Sequence, residues 1–254
     1  MLARPQSPVL PPPPIVSAAG HALFVDFDGT LVPLAERPDD VVADSELIDL
    51  LAELHRALDG RLAIVSGRSI DQLDAMLGRS AATLVLAGSH GAELRYQGRR
   101  IQPPRPSGLD AAADDVRRYV DAHPGTIAEI KSFGVALHYR TAPRFEADAQ
   151  AAAIAIAARH GLAVQPGKMM IELHVAGADK GDAVMALMAM ASMQGSLPIV
   201  IGDDLTDEPA LAMAERLGGF GILVGSGRDT AAVHGLADVP DVRRWLGLVA
   251  EAGV

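Results

Sequence analysis

The chain has 254 residues, 49% of them hydrophobic and 21% charged, which is the composition of a folded globular protein and excludes a disordered one. Its net charge of −10 argues against nucleic-acid binding, which needs clustered Lys and Arg to neutralise phosphates. The absence of cysteine excludes disulfides, thiol nucleophiles and Cys-based zinc sites, and fits a cytoplasmic protein.

No apolar run approaches the ~18 residues of a membrane span, so no membrane partner is expected. Pro11–Pro14 break the apolar start that a signal peptide would need; residues 1–20 read as a flexible Pro-rich tail. Ala22–Phe27 is a short apolar run suited to a buried parallel strand. Ser45 is placed to cap a helix running to Leu58, with leucines at helical spacing. Leu62–Val65 follows as a strand, Ile70–Leu77 as a helix and Leu84–Leu86 as a third strand. This order predicts a parallel sheet with crossover helices. Pro103, Pro104 and Pro106 read as a linker. Beyond it come a helix at Leu109–Ala122, strands at Ile127–Ser132 and Val135–Arg140, and an alanine-rich helix at Ala147–His160. Short strands at Ala163–Gln165 and Met169–His174 complete this section. The parallel pattern then resumes with a helix from Lys180 to Met193, a strand at Leu197–Ile201 and a helix at Asp207–Leu217. A strand at Gly221–Val224 and a helix at Val239–Ala250 end the chain. The expected architecture is α/β: a doubly wound, Rossmann-like core from residues 21–103 and 175–254, with a smaller α/β cap over residues 104–174.

Polar residues fall just past the ends of the predicted core strands: Asp26 and Asp28, Ser66, and Asp203, Asp204 and Asp207, with Lys180 at a helix start. Ligands of open parallel sheets bind at those strand ends, so these segments can converge. Phosphoryl transfer needs an in-line nucleophile, a cation over the equatorial oxygens and donors for the remaining charge. A strand-end carboxylate can serve as nucleophile through an aspartyl-phosphate. A second carboxylate two residues on can protonate the leaving alkoxide and then activate water. Asp203 offers the hard oxygen that Mg2+ prefers, and Ser66 and Lys180 can donate to phosphoryl oxygens.

Asp26-Phe-Asp-Gly-Thr-Leu31, Ser66, Lys180 and Gly202–Glu208 together resemble the four motifs of the haloacid dehalogenase (HAD) phosphatase superfamily, with a type-2 cap between the second and third. The resemblance implies that Asp26 is the nucleophile and Asp28 the acid/base. It also implies Mg2+ held by the Asp26 side chain, the Asp28 carbonyl and the Asp203 side chain, with Asp204 and Asp207 fixing the loop. Ser66–Arg68, Gly88–Glu93, Val135–Arg140, Gly167–Glu172, Asp179–Gly181 and Gly225–Ala231 narrow it further: the chain resembles the trehalose-6-phosphate phosphatases. That implies trehalose 6-phosphate as substrate, association with a trehalose-phosphate synthase, and sugar contacts from Arg68, His90, Lys131, His138, Arg140, Lys168 and Glu172. One departure is visible, since Glu172-Leu-His174-Val175 stands where members carry a basic residue followed by proline. Two other readings stay open: a HAD phosphatase for another sugar phosphate, such as sucrose phosphate or mannosyl-phosphoglycerate, and a silent sensor or synthase-supporting subunit.

Overall fold

The computed structural model describes residues 10–175, 177, 179–226 and 228–253. The first part of the chain runs β1 (His21–Val25), α1 (Ser45–Ala57), β2 (Leu62–Val65), α2 (Ile70–Leu77), β3 (Val85–Gly88), β4 (Glu93–Tyr96) and β5 (Arg99–Ile101). The next part runs α3 (Gly108–Ala122), β6 (Ile127–Ile130), β7 (Gly134–His138), α4 (Glu146–His160), β8 (Ala163–Gly167) and β9 (Met170–His174). Last come α5 (Lys180–Met188), β10 (Leu197–Gly202), α6 (Glu208–Arg216), β11 (Phe220–Val224), β12 (His234–Leu236) and α7 (Val239–Glu251).

The outer two parts share one eight-stranded sheet, ordered β12-β11-β10-β1-β2-β3-β4-β5. β1 lies between β10 and β2, parallel to both, so the winding direction reverses there and leaves a crevice at its carboxyl end. Both faces of the sheet are covered, which is why its inner strands are apolar without alternation. Leu23 and Ile64 pack with Leu51, Leu73 and Trp245 of α1, α2 and α7 on one face. Phe24 and Val200 pack with Val184 and Leu211 of α5 and α6 on the other. The middle part forms its own antiparallel sheet, ordered β6-β7-β9-β8, whose Leu137 and Ile171 pack against Leu109 of α3 and Ala153 of α4.

Several expectations need correction. The tail expected over residues 1–20 is anchored in its described portion: Val16 and Ala18 are buried, the Trp245 indole donates to the Pro14 carbonyl at 3.2 Å, and Gly235 N–H donates to the Pro11 carbonyl at 3.0 Å. Prolines lack a donor but keep their acceptors, so the run can lie along the core. Residues 1–9 lie outside the described residues. The core sheet is not wholly parallel, because β4 and β5 add an antiparallel hairpin at its edge. Its turn, Gln97-Gly98, has φ of +48° and +73°, a two-residue geometry matched to strand twist. α1 is capped by Asp44, which accepts from Leu47 N–H at 2.8 Å, rather than by Ser45. α5 ends at Met188, not Met193. α6 begins at Glu208 with Pro209 in its first turn, where the missing N–H costs nothing.

Candidate active site

Asp26 follows β1, Ser66 follows β2 and Asp203 follows β10, so sheet topology alone brings residues distant in sequence to one crevice. Lys180 enters from the first turn of α5. Its ammonium donates to Asp26 Oδ1 at 2.7 Å and to Asp207 Oδ1 at 2.6 Å, and all three residues are buried. Asp207 Oδ2 accepts from the N–H groups of Asp203 and Asp204 at 3.0 and 2.9 Å, which fixes the loop carrying both. The packing leaves no room for side chains in between. Gly29 has φ of +84°, and a Cβ there would stand 2.4 Å from Asp203 Oδ2; one on Gly202 would stand 2.3 Å from Asp207 Cγ.

Asp28 is held differently. Arg68 grips it with both ends of its guanidinium, at 2.7 and 2.8 Å, and also donates to the Pro38 carbonyl at 3.2 Å. Burial works against the Arg68 cation, but the Asp28 carboxylate outweighs it and holds its pKa above the usual value. Ser66 Oγ is buried at the same rim and accepts from the Arg68 N–H at 3.1 Å.

The middle unit closes over this floor. Lys131 donates to Glu172 Oε2 at 2.5 Å and to the core carbonyl of Gly67 at 3.0 Å. His90, from the core, lies 3.3 Å from the same Glu172 oxygen. Ser89 and His90 have φ of +50° and +57°, a left-handed pair of non-glycine residues. That strain is held by N–H bonds to the Arg68 and Ser66 carbonyls and by Ser89 Oγ donating to buried Glu93. His138 lies 2.8 Å from Glu129 Oε2, Arg140 donates to the Lys168 carbonyl at 2.8 Å, and Lys168 pairs with Asp203 across the gap. The cleft between the two units encloses about 900 Å3, mouth included, and every residue predicted for the site except Asp207 lines it. Asp207 lies beneath the floor. Sequence reasoning missed Glu129 and the wall from Leu34 to Val41. Glu129 stands two residues before Lys131 on a strand, hence on the same face, and that spacing was its available signal.

Charge differs between floor and roof. Burial pushes the Asp26 carboxyl well up, neighbouring Asp207 and Asp203 add to that, and Lys180 opposes it. Burial would lower Lys180, yet its two carboxylate partners hold its pKa above the usual value. The floor therefore carries more negative charge than its lysine offsets. Asp26, Asp203 and Asp207 bring carboxylate oxygens within 4.8 Å of one another, and Asp203 Oδ1 is buried with no hydrogen-bond partner among the described residues. Both Asp207 oxygens are already engaged, so Asp26 and Asp203 are the ones fitted to a hard cation. On the roof, burial would raise Glu129 and Glu172, but Lys131 and the histidines outweigh it. They hold Glu129 at about 2 and Glu172 below the carboxylate range.

His174, the departure noted in the sequence, ends β9 with its ring 6.0 Å from that of His90. Burial holds its pKa below the usual histidine value. Val175 N–H, which a proline would lack, donates to the Phe133 carbonyl at 3.2 Å.

The fold is that of the HAD phosphatases. Residues 24–243 match the sequence model of the trehalose-phosphatase family, and the chain belongs to that family. It is 39% identical to the trehalose-6-phosphate phosphatase of Escherichia coli K12, over 92% of this chain and 88% of that one. It is 36% identical to a probable trehalose-phosphate phosphatase of Sinorhizobium fredii, over 90% and 86%. A crystal structure of a trehalose-6-phosphate phosphatase related protein superposes with a TM-score of 0.80 at 28% identity, covering 91% of this chain and 98% of that one.

Proposed function

We propose that this protein hydrolyses trehalose 6-phosphate to trehalose and phosphate through an aspartyl-phosphate on Asp26. The observation carrying this reading is the two-sided cleft. One wall holds a buried carboxylate against a lysine, and the other is a roof on which Lys131 stands between Glu129 and Glu172, a mix of donors and acceptors suited to sugar hydroxyls. Similarity to the named relatives supports the choice of sugar.

Asp26 attacks phosphorus, and the bond to the sugar oxygen breaks. Asp28, protonated once substrate displaces it from its pairing with Arg68, gives its proton to that oxygen, so trehalose leaves neutral. Water then attacks the phosphorus of the aspartyl-phosphate, Asp28 takes its proton, and phosphate departs from the regenerated Asp26 carboxylate. Lys180 keeps Asp26 oriented and offsets charge, and Ser66 can donate to a phosphoryl oxygen. Mg2+ is the cation proposed for Asp26, the Asp28 carbonyl and Asp203; when bound it neutralises charge on the equatorial oxygens. The roof would act as a cap over the sugar, its Glu129, Lys131 and Glu172 lining the cleft.

A phosphate-release panel of trehalose 6-phosphate, sucrose phosphate, mannosyl-phosphoglycerate and glucose 6-phosphate, with and without Mg2+, tests this reading. The largest kcat/KM is expected on trehalose 6-phosphate with Mg2+, and a chelator is expected to abolish it. Preference for another sugar would overturn the substrate, and full activity in chelator would overturn the metal.

A further inference from the structure

Gln72 joins the two units through one side chain. It is the third residue of α2, and its Oε1 accepts from the N–H and Oγ of Ser69 at 2.9 and 3.2 Å, while its own N–H donates to Ser69 Oγ at 3.2 Å. This capping box fixes the amide rigidly to the loop that carries Ser66 and Arg68. Its free end, Nε2, crosses to the cap and donates to Glu129 Oε1 at 2.7 Å. His138 holds the other Glu129 oxygen. The cap strand is thus indexed against the phosphate-site loop by an amide that has no rotational freedom left.

We infer that Gln72 is a positioning residue that sets cap closure and thereby the affinity for the sugar. Only a donor at this point suits Glu129, which stays ionised beside Lys131. The inference rests on the proposed reading of the cleft as a sugar-phosphate site, but closure itself is measurable without substrate.

Gln72→Glu is the incisive variant. A glutamate at the third helical position still accepts from the Ser69 N–H, so the helix cap survives. Its second oxygen then faces Glu129, and two carboxylates at hydrogen-bond distance repel. Adding Glu129→Gln restores a matched pair, since the new amide donates to the new carboxylate and still accepts from His138. The chain has no cysteine, so spin labels can be placed cleanly by Ile154→Cys on the cap and Met185→Cys on the core, both exposed positions. Without substrate, Gln72→Glu should shift the label distance to longer values, and the double variant should reverse the shift. KM for trehalose 6-phosphate should rise about tenfold if the closed fraction falls tenfold, with kcat on p-nitrophenyl phosphate within twofold of the parent. An unchanged distance distribution in Gln72→Glu would overturn the inference. So would equal loss on both substrates with a lower melting temperature, the mark of a merely structural cap. If the parent chain does not act on trehalose 6-phosphate, the proposed substrate fails while the distance measurement still decides the role of Gln72.

Discussion

The floor and the roof of the cleft solve opposite electrostatic problems. On the floor, Asp26, Asp203 and Asp207 crowd around Lys180, and a buried Asp203 oxygen is left without a partner among the described residues. On the roof, Glu129 and Glu172 surround Lys131 with His90 and His138 at the edges, so each carboxylate has a basic partner within the set. The floor is built to receive positive charge and a phosphoryl group. On the proposed reading the roof receives neutral hydroxyls, since it offers paired donors and acceptors rather than an uncompensated cation site. The proposed function thus places reaction chemistry and sugar choice on different halves of the fold.

The sharpest way to break this division is to remove Lys180. Lys180→Met leaves Asp26 and Asp207 buried and unpaired; turnover should fall about 10^3-fold on any phosphate ester. Stability should drop by about 3–5 kcal/mol, read by denaturant melting. If turnover survived on small esters alone, floor chemistry would not depend on this lysine. The roof is tested by Glu172→Gln, which removes the countercharge of buried Lys131 while keeping shape. We expect a loss of about 2–3 kcal/mol in kcat/KM for trehalose 6-phosphate, with p-nitrophenyl phosphate little affected. Equal losses on both esters would merge the two regions. Acid should act on stability rather than on turnover. Glu129 is held at about 2 in the fold against 4.5 unpaired, so its stabilisation is complete above pH 4.5 and is lost as pH falls towards 2. That is worth about 3 kcal/mol. Glu129→Gln should flatten the fall in melting temperature across that window, and an unchanged slope would deny the roof its ionised glutamate.

The floor was the more legible half. Asp26 and Asp203 sit at the ends of apolar strands, where a parallel sheet makes position follow from order in the chain, and Lys180 is announced by the Asp179-Lys-Gly turn. The roof is antiparallel, and its contacts depend on register: Leu137 pairs with Ile171, and Ala136 with Glu172. No local pattern specifies that pairing, and Glu129 went unseen although its two-residue spacing from the named Lys131 placed both on one face. The edge hairpin at β4 and β5 was missed for a different reason. Gln97-Gly98 is a weaker turn signal than Asn-Gly, and the flanking Arg99 and Arg100 carry no apolar alternation. Strand β12 has only three residues, too few for a period to show. The anchored segment at Leu10–Gly20 escaped because proline runs favour an extended form, which lies along a core as readily as it extends into solvent.

The central claim is that Asp26 becomes phosphorylated. In the proposed mechanism Asp28 serves both steps, but p-nitrophenolate leaves without a proton, so with p-nitrophenyl phosphate Asp28→Asn removes only the base that releases phosphate and the intermediate should accumulate. The direct measurement is acid quenching of this variant and of the parent during turnover of 32P-labelled p-nitrophenyl phosphate, followed by peptide mass spectrometry. The account predicts label on the peptide containing Asp26, at higher occupancy in the variant. Turnover in the parent with no labelled peptide in either protein, or label on a residue other than Asp26, would contradict it.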